Sequence, residues 1–150
     1  MPDNPHFEFP SSWDAAAALL TFKPVMPTDT GGREPESFAV FVCDHKLREL
    51  AREDRNLEVY YDGFTFSQSR KGVQEARRMA LEVSYGRTPE RALVAGHEAR
   101  VYELGPVPAA DDIDPRSPAV VVWYDAEMFF LLASDSLQPD MLLRIATSIY

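Results

Sequence analysis

The strongest constraint on the fold lies near the C-terminus, in two segments that are apolar at nearly every position. Residues 119–124 read Ala-Val-Val-Val-Trp-Tyr and residues 128–132 read Met-Phe-Phe-Leu-Leu, separated by Asp125, Ala126 and Glu127. The pattern predicts a β-hairpin in which both alternating sets of side chains are apolar, so both faces should be covered. Burying one such side chain stabilises a fold by roughly 1.5–3 kcal/mol. The second face is therefore closed by another part of the chain, by a partner subunit or by a ligand.

Two further hairpins and a first strand are predicted upstream. Asp62-Gly63 separates residues 57–61 from residues 64–69, and an Asp-Gly pair supplies the positive φ angles of a tight turn. Alternation in the second of these strands predicts one solvent-exposed face carrying Thr65, Ser67 and Ser69. Residues 92–95 and 99–104 flank Gly96-His97 in the same manner, and residues 37–43 have the composition of a strand.

Helices are predicted at residues 12–21, 72–84 and 139–149, with a serine N-cap for the first and Pro139 in the first turn of the last. The middle segment could also change from helix to strand near Leu81. Residues 45–56 are compatible with one or two helical turns, with Leu47 and Leu50 on one side, or with a mobile loop. Residues 105–118 are predicted to form a loop.

These elements predict an α+β fold in a single domain, residues 1–150, of which residues 1–10 are irregular. Its centre is a single curved, mostly antiparallel sheet of about six to seven strands. The helices pack mainly on one face, and a helix ends the chain. A chain of 150 residues that is 45% hydrophobic can build such a core without a disulfide or a metal.

Charge and composition narrow the functional classes. The net charge of −9 argues against nucleic acid, and no apolar run approaches the roughly 20 residues of a membrane helix, so neither binding to nucleic acid nor membrane insertion is expected. The chain is expected to be cytoplasmic if Met1 is native, and otherwise to be an excised extracytoplasmic domain. The segment from residue 70 to residue 100 is locally basic, which suggests a docking patch for an anionic partner or simply a solvated helix face. Its candidate docking residues are Arg70, Lys71, Arg77 and Arg78.

Candidate chemistry is sparse, and no cofactor is predicted. Cys43 and His45 stand two residues apart, a spacing that would place both on one side of a strand as a nucleophile pair or the start of a metal site. The alternative is a small buried cysteine followed by an exposed histidine. Carboxylate oxygens that could hold a weak cation are concentrated at Asp111, Asp112 and Asp114, although a solvated turn is the commoner structure for such a stretch.

Aromatic residues on the predicted strands could line a pocket for an apolar ligand, or they could belong to the ordinary core. The candidate ligand-binding residues are Tyr60, Phe66, Tyr102, Trp123 and Phe130.

The order of short motifs resembles an uncharacterised bacterial family found in the extracytoplasmic parts of anti-sigma-factor-like and lipoprotein-like proteins. The resemblance rests on the helix followed by Pro24-Val25-Met26-Pro27, on the strand ending Gln68-Ser69, on Gly96-His97-Glu98-Ala99, and on the terminal Trp123 strand, second strand and helix. It implies a curved antiparallel sheet flanked by helices, as in lipoprotein-carrier-like or photosystem-associated folds. It also implies a binding or sensory role. This chain departs from the family in its acidic loop at residues 105–118 and in lacking a membrane anchor.

Together these patterns predict a non-catalytic binding or regulatory module that recognises a protein partner or a small apolar ligand. A structural homodimer is the first alternative. The second is a hydrolase or metal-dependent enzyme that uses Cys43 and His45 or the loop from Asp111 to Asp114.

Overall fold

The computed structural model describes residues 4–70, 89–103, 105–106 and 116–150. Within them an eight-stranded, open, antiparallel sheet has the order β1-β2-β3-β4-β10-β9-β6-β5. The strands are β1 (Phe7–Glu8), β2 (Pro35–Phe41), β3 (Asn56–Tyr61), β4 (Phe64–Arg70), β5 (Glu90–Val94), β6 (His97–Tyr102), β9 (Ala119–Asp125) and β10 (Met128–Ser134). Two short strands, β7 (Gly105–Pro106) and β8 (Arg116–Ser117), pair separately within the predicted loop. The fold class is therefore α+β as predicted, but the sheet has more strands than the six to seven expected.

The extra strand comes from the N-terminal segment that the sequence suggested was irregular. In β1, Phe7 pairs with Phe41 and Glu8 pairs with Val40. The backbone N–H of Val42 donates to the carbonyl of His6 at 2.8 Å and extends this contact by one residue. Two aromatic contacts, from Phe7 and His6 to Phe41, hold the short strand in place.

Two helices flank the sheet in the described chain. Helix α1 (Trp13–Ala17) begins at Ser12, whose hydroxyl accepts a hydrogen bond from the Ala15 N–H at 3.1 Å. It is shorter than predicted, because Leu19 and Leu20 bond only three residues back and the tighter turn brings Leu20 into the core. Helix α2 (Pro139–Thr147) starts at the expected proline. The helix predicted at residues 72–84 lies outside the described residues.

Residues 43–54 form a tight turn and a short 3₁₀ helix (Arg52–Asp54) rather than α-helical turns, which were one of the two alternatives for residues 45–56. Cys43 bridges to Glu49, and the Asp44 carboxylate accepts from the N–H groups of Lys46 and Arg48 at 2.8 and 3.0 Å. Leu47 has a φ of 60° and is exposed, so it does not join an apolar face. The aspartate therefore supplies local hydrogen bonds that compete with helix formation.

The sheet has a main core on one face and a smaller cluster on the other. The main core includes both helices, with Leu142, Ile145 and Ala146 from α2 packed against the sheet. The smaller cluster consists of Val120, Val122, Phe129 and Leu131, against which Tyr102 and Ala133 pack. Both alternating sets of the β9–β10 hairpin are thus buried, as its sequence predicts.

One expectation about exposure is wrong. Ser67 and Ser69 were expected on a solvent-exposed face, yet they are 3% and 0% exposed. The reason is the strand order: β10 lies beside β4, which places Leu131 next to Ser67 and Phe129 next to Ser69. The serines therefore share the face of the sheet that carries the smaller buried cluster.

Candidate binding groove at the sheet edge

An open groove lies at the edge of the sheet where the N-terminal segment leaves β2. Its volume is about 600 Å³. Phe9, Pro10 and Ser11 form one side, residues 35–38 of β2 form the other, and Tyr60 of β3 completes the lining. The groove is larger than the clefts beside the β3–β4 turn and beside β5, which have volumes of about 450 and 440 Å³. Its lining includes the aromatic residues Phe9, Phe38 and Tyr60, of which Phe38 packs into the main core and Tyr60 lies on the opposite face of the sheet.

Local sequence explains why the groove opens here. A residue before proline favours extended backbone and proline has no N–H to donate, so Pro10 ends the pairing of β1. The chain then turns away to begin helix α1 at Ser12. Trp13 from that helix packs edge-on against Phe38, with ring centroids 5.3 Å apart. The wall at Phe38 is therefore fixed to the core, whereas Phe9 is 47% exposed.

The β2 side of the groove contains a bulge. Pro35 pairs with Tyr61 and Ser37 pairs with Tyr60, so Glu36 has no residue opposite it on β3. A bulge bends a strand and changes the direction of its side chains, and bulges occur often next to binding sites. Here the extra residue is a glutamate in the lining.

The charge of the groove lining is negative. The lining contains Glu36 and no Lys or Arg. Tyr60 donates a short hydrogen bond to the Glu58 carboxylate. Burial, followed by this hydrogen bond and the Glu58 charge, raises the pKa of Tyr60 above its ordinary value. The phenol therefore remains a protonated donor near neutral pH, and the carboxylates supply the charge.

The aromatic residues predicted to bind a ligand do not meet in one pocket of the described chain. Phe66, Trp123 and Phe130 stack in the main core, at ring distances of 6.0 and 5.1 Å, and all are buried. Tyr102 packs against the smaller cluster on the other face. Tyr60 is the member of the predicted set that lines the groove.

The other predicted site residues are separated as well. Cys43 packs against the main core, and His45 is exposed in the turn that follows. Arg70 contacts Glu127 at 3.1 Å and the Thr21 hydroxyl at 3.2 Å, so it is tied to its own chain. Asp111, Asp112, Asp114, Lys71, Arg77 and Arg78 lie outside the described residues. Within the described ranges, no group of three or more His, Cys, Asp or Glu side chains could hold a metal ion.

Sequence reasoning missed a polar cluster on the β5 side of the sheet. His97 Nε2 lies 3.5 Å from Asp125 Oδ1, and the His97 ring stacks on Tyr150. The Tyr150 hydroxyl accepts a hydrogen bond from Trp123 Nε1 at 3.0 Å. Burial, and hydrogen bonding to Asp125, raise the pKa of Tyr150 to about 12. The β6–β9 register, with Ala99 opposite Trp123, brings His97 close to Asp125, and the end of the chain adds Tyr150.

In the part of the chain that the structure describes, neither helix has the length and apolar character needed to cross a membrane. Comparison of the chain with protein-family models, curated proteins and solved structures finds no match.

Proposed function

We propose that this protein is a non-catalytic binding module that recognises a protein partner through the groove between Phe9 and β2. The observation that carries the proposal is the groove itself: an open, aromatic cleft of about 600 Å³ beside a sheet edge. Aromatic anchors that enter such clefts dominate the binding energy of many protein interfaces.

The construction of the groove supports recognition rather than incidental surface shape. One wall, Phe38, is buried and held by Trp13, so it is positioned before a partner arrives. Preorganised walls lower the cost of ordering on binding. The other wall, Phe9, exposes nearly half of its surface, and an exposed aromatic side chain next to a cleft is a ready contact for an apolar group.

A small apolar ligand is the second candidate, and the size of the groove favours it. Small-molecule sites usually have volumes of about 300–1,000 Å³ with apolar walls and a few polar groups. The Tyr60 hydroxyl, bonded to Glu58, and the carboxylate of Glu36 could orient such a molecule. A protein partner and a small ligand would use the same groove, and the mass added to the protein on binding distinguishes them.

The homodimer and enzyme alternatives receive less support from the groove. Two copies joined at this edge would bring acidic linings together, which is unfavourable. A catalytic pair of Cys43 and His45 would need both side chains to face a common substrate. The described structure instead packs Cys43 against the core and exposes His45.

Native mass spectrometry of untagged protein isolated from the cells that encode it tests the proposal. The expected spectrum shows a complex with a different protein, and the variant Phe9→Ala loses it. Leu93→Ala, which changes a 69% exposed side chain on β5, is the matched control and should retain it. A small added mass lost in Phe9→Ala supports the ligand candidate. A free mass for the wild type, or a complex that Phe9→Ala retains, contradicts binding in the groove.

A further inference from the structure

The outer side of β2 carries backbone groups that no strand occupies in the described sheet. β1 pairs with Val40 and Phe41 only, so residues 35–39 have no neighbouring strand on that side. Backbone groups of alternate residues in a strand point to the same side. The Val42 N–H points towards His6, so the N–H and C=O of Phe38, four residues earlier, face the same open side.

Pro10 explains why the protein's own chain does not fill this edge. Continuing the register of Phe7 with Phe41 and Glu8 with Val40 would place Pro10 opposite Phe38. Proline has no N–H to donate to the Phe38 carbonyl, so the ladder stops there. The first free backbone groups of β2 therefore lie directly beside the groove.

A free strand edge next to an apolar cleft is the arrangement that binds extended peptides. The backbone of the peptide adds a strand to the sheet, while a side chain enters the adjacent pocket and supplies selectivity. In this protein the strand edge is at Phe38, and the adjacent groove is lined by Phe9, Pro10 and Tyr60 among others.

Charge selects which peptide fits. Glu36 lines the groove, Glu58 bonds to Tyr60, and the exposed Glu8 and Glu34 adjoin the lining residues Phe9 and Pro35 in sequence. A second copy of this chain, or an acidic segment, would place carboxylates against carboxylates. Opposite charge across an interface favours association and excludes the wrong partners.

We infer that the partner of this module presents an extended, basic segment that pairs with β2 at Phe38. One aromatic or aliphatic side chain of the segment fills the groove, and its Lys or Arg residues face Glu36 and Glu58. This inference rests on the proposed function of the groove and specifies the chemistry of its occupant.

Selection from a random-peptide display library, with the intact protein as bait, provides the first test. The enriched peptides should combine one large apolar residue with Lys or Arg and no net negative charge. For the best synthetic peptide, Glu36→Lys should raise the Kd about tenfold or more, the usual cost of a lost charge-assisted contact. Glu90→Lys, on exposed β5 at the other edge, is the control and should leave the Kd unchanged.

Backbone pairing is tested on the same peptide. Two versions of the peptide are compared, each methylated at every second N–H group. Methylation of the set that faces β2 should abolish binding, whereas methylation of the other set should leave it unchanged, because only one set of N–H groups faces β2. Hydrogen exchange of the Phe38 amide should slow when the peptide binds, whereas amides of β5 should not change.

Each opposite result is decisive. Enriched peptides that are acidic, or that bind Glu36→Lys as tightly as wild type, overturn the inferred charge. If the peptide binds whichever set of its N–H groups is methylated, and hydrogen exchange of the Phe38 amide does not slow, strand addition is overturned and the groove is left as a binding site. Failure to enrich any peptide overturns the inference. Whether the groove has another occupant is then decided separately, by whether the Phe9→Ala variant loses the complex seen in native mass spectra of the wild type.

Discussion

The two edges of the sheet differ in the residues that border them and in how accessible they are to another strand. At the β5 edge, the strand presents Glu90, Arg91 and Leu93, and Arg91 lies 3.9 Å from Glu98. Charges of both signs along an edge discourage other strands from pairing with it. At the β2 edge, the short β1 stops at Glu8 and leaves an apolar groove whose lining has a carboxylate and no Lys or Arg. One edge is protected and the other is open beside a shaped cleft, so the β2 edge is the surface we assign to binding.

The largest difference between the edges should appear in stability. Phe38 is 9% exposed and packs against Trp13, so Phe38→Ala should lower the free energy of unfolding by about 3–5 kcal/mol. Leu93→Ala at the opposite edge removes a 69% exposed side chain and should change it by less than about 0.5 kcal/mol. Urea unfolding measures both values. A small loss in Phe38→Ala would mean that this wall of the groove is not fixed to the core.

A smaller difference is expected for the tyrosine hydroxyls near the two edges. Tyr150→Phe leaves the buried Trp123 N–H without its acceptor, which should cost about 1–3 kcal/mol. Tyr60→Phe removes the hydrogen bond to Glu58, but both groups are only half-buried and water can replace it. The loss should therefore be below about 1 kcal/mol. Equal losses in urea unfolding would contradict the different burial of the two hydrogen-bond partners, Trp123 at 1% exposed and the half-buried Glu58.

The contribution of Tyr60 to stability should also depend on pH in the alkaline range. The fold raises the pKa of Tyr60 through burial and Glu58, so the folded state holds this proton more tightly than the unfolded chain. The resulting stability is fully present below the ordinary tyrosine pKa of about 10 and is lost as the pH rises through the folded value. Glu58→Gln should lower the pKa of Tyr60, with burial still holding it above the ordinary value. Tyrosinate absorbance, compared with that of Tyr60→Phe, measures the shift; no change in Glu58→Gln contradicts the assigned role of Glu58.

A small stability effect is also expected at the exposed wall of the groove, Phe9. Phe9 is 47% exposed and its ring lies 6.1 Å from that of Phe7, so Phe9→Ala should cost less than about 1 kcal/mol. The variant thus separates binding from folding. A thermal unfolding curve close to that of the wild type is the required control for every binding experiment at this position.

The sequence predicted features that depend on neighbouring residues. The Asp62-Gly63 turn forms a two-residue connection with Gly63 at a φ of 92°, although Asp62 does not take the positive φ that was predicted for the pair. The doubly apolar β9–β10 hairpin is buried on both faces. The burial of Ser67 could not be predicted, because it depends on β10, whose partner in the sheet is distant in sequence.

The groove was accessible to sequence reasoning only in part. Tyr60 was a candidate because strand aromatics often line pockets, and it does line the groove. Phe9 and Glu36 were not candidates, since their positions depend on a two-residue strand and a bulge. Pro10 was a usable signal: a proline shortly after an apolar segment predicts that strand pairing stops there.

Photo-crosslinking inside the cells that encode the protein tests the central claim most directly. A benzophenone amino acid replaces Phe9 in one variant and Leu93 in another, so that the same probe is placed at each edge of the sheet. We expect a protein adduct from position 9, suppressed by Glu36→Lys, and none from position 93. An adduct from position 93 alone, or equal adducts from both positions, would contradict the assignment of binding to the β2 edge.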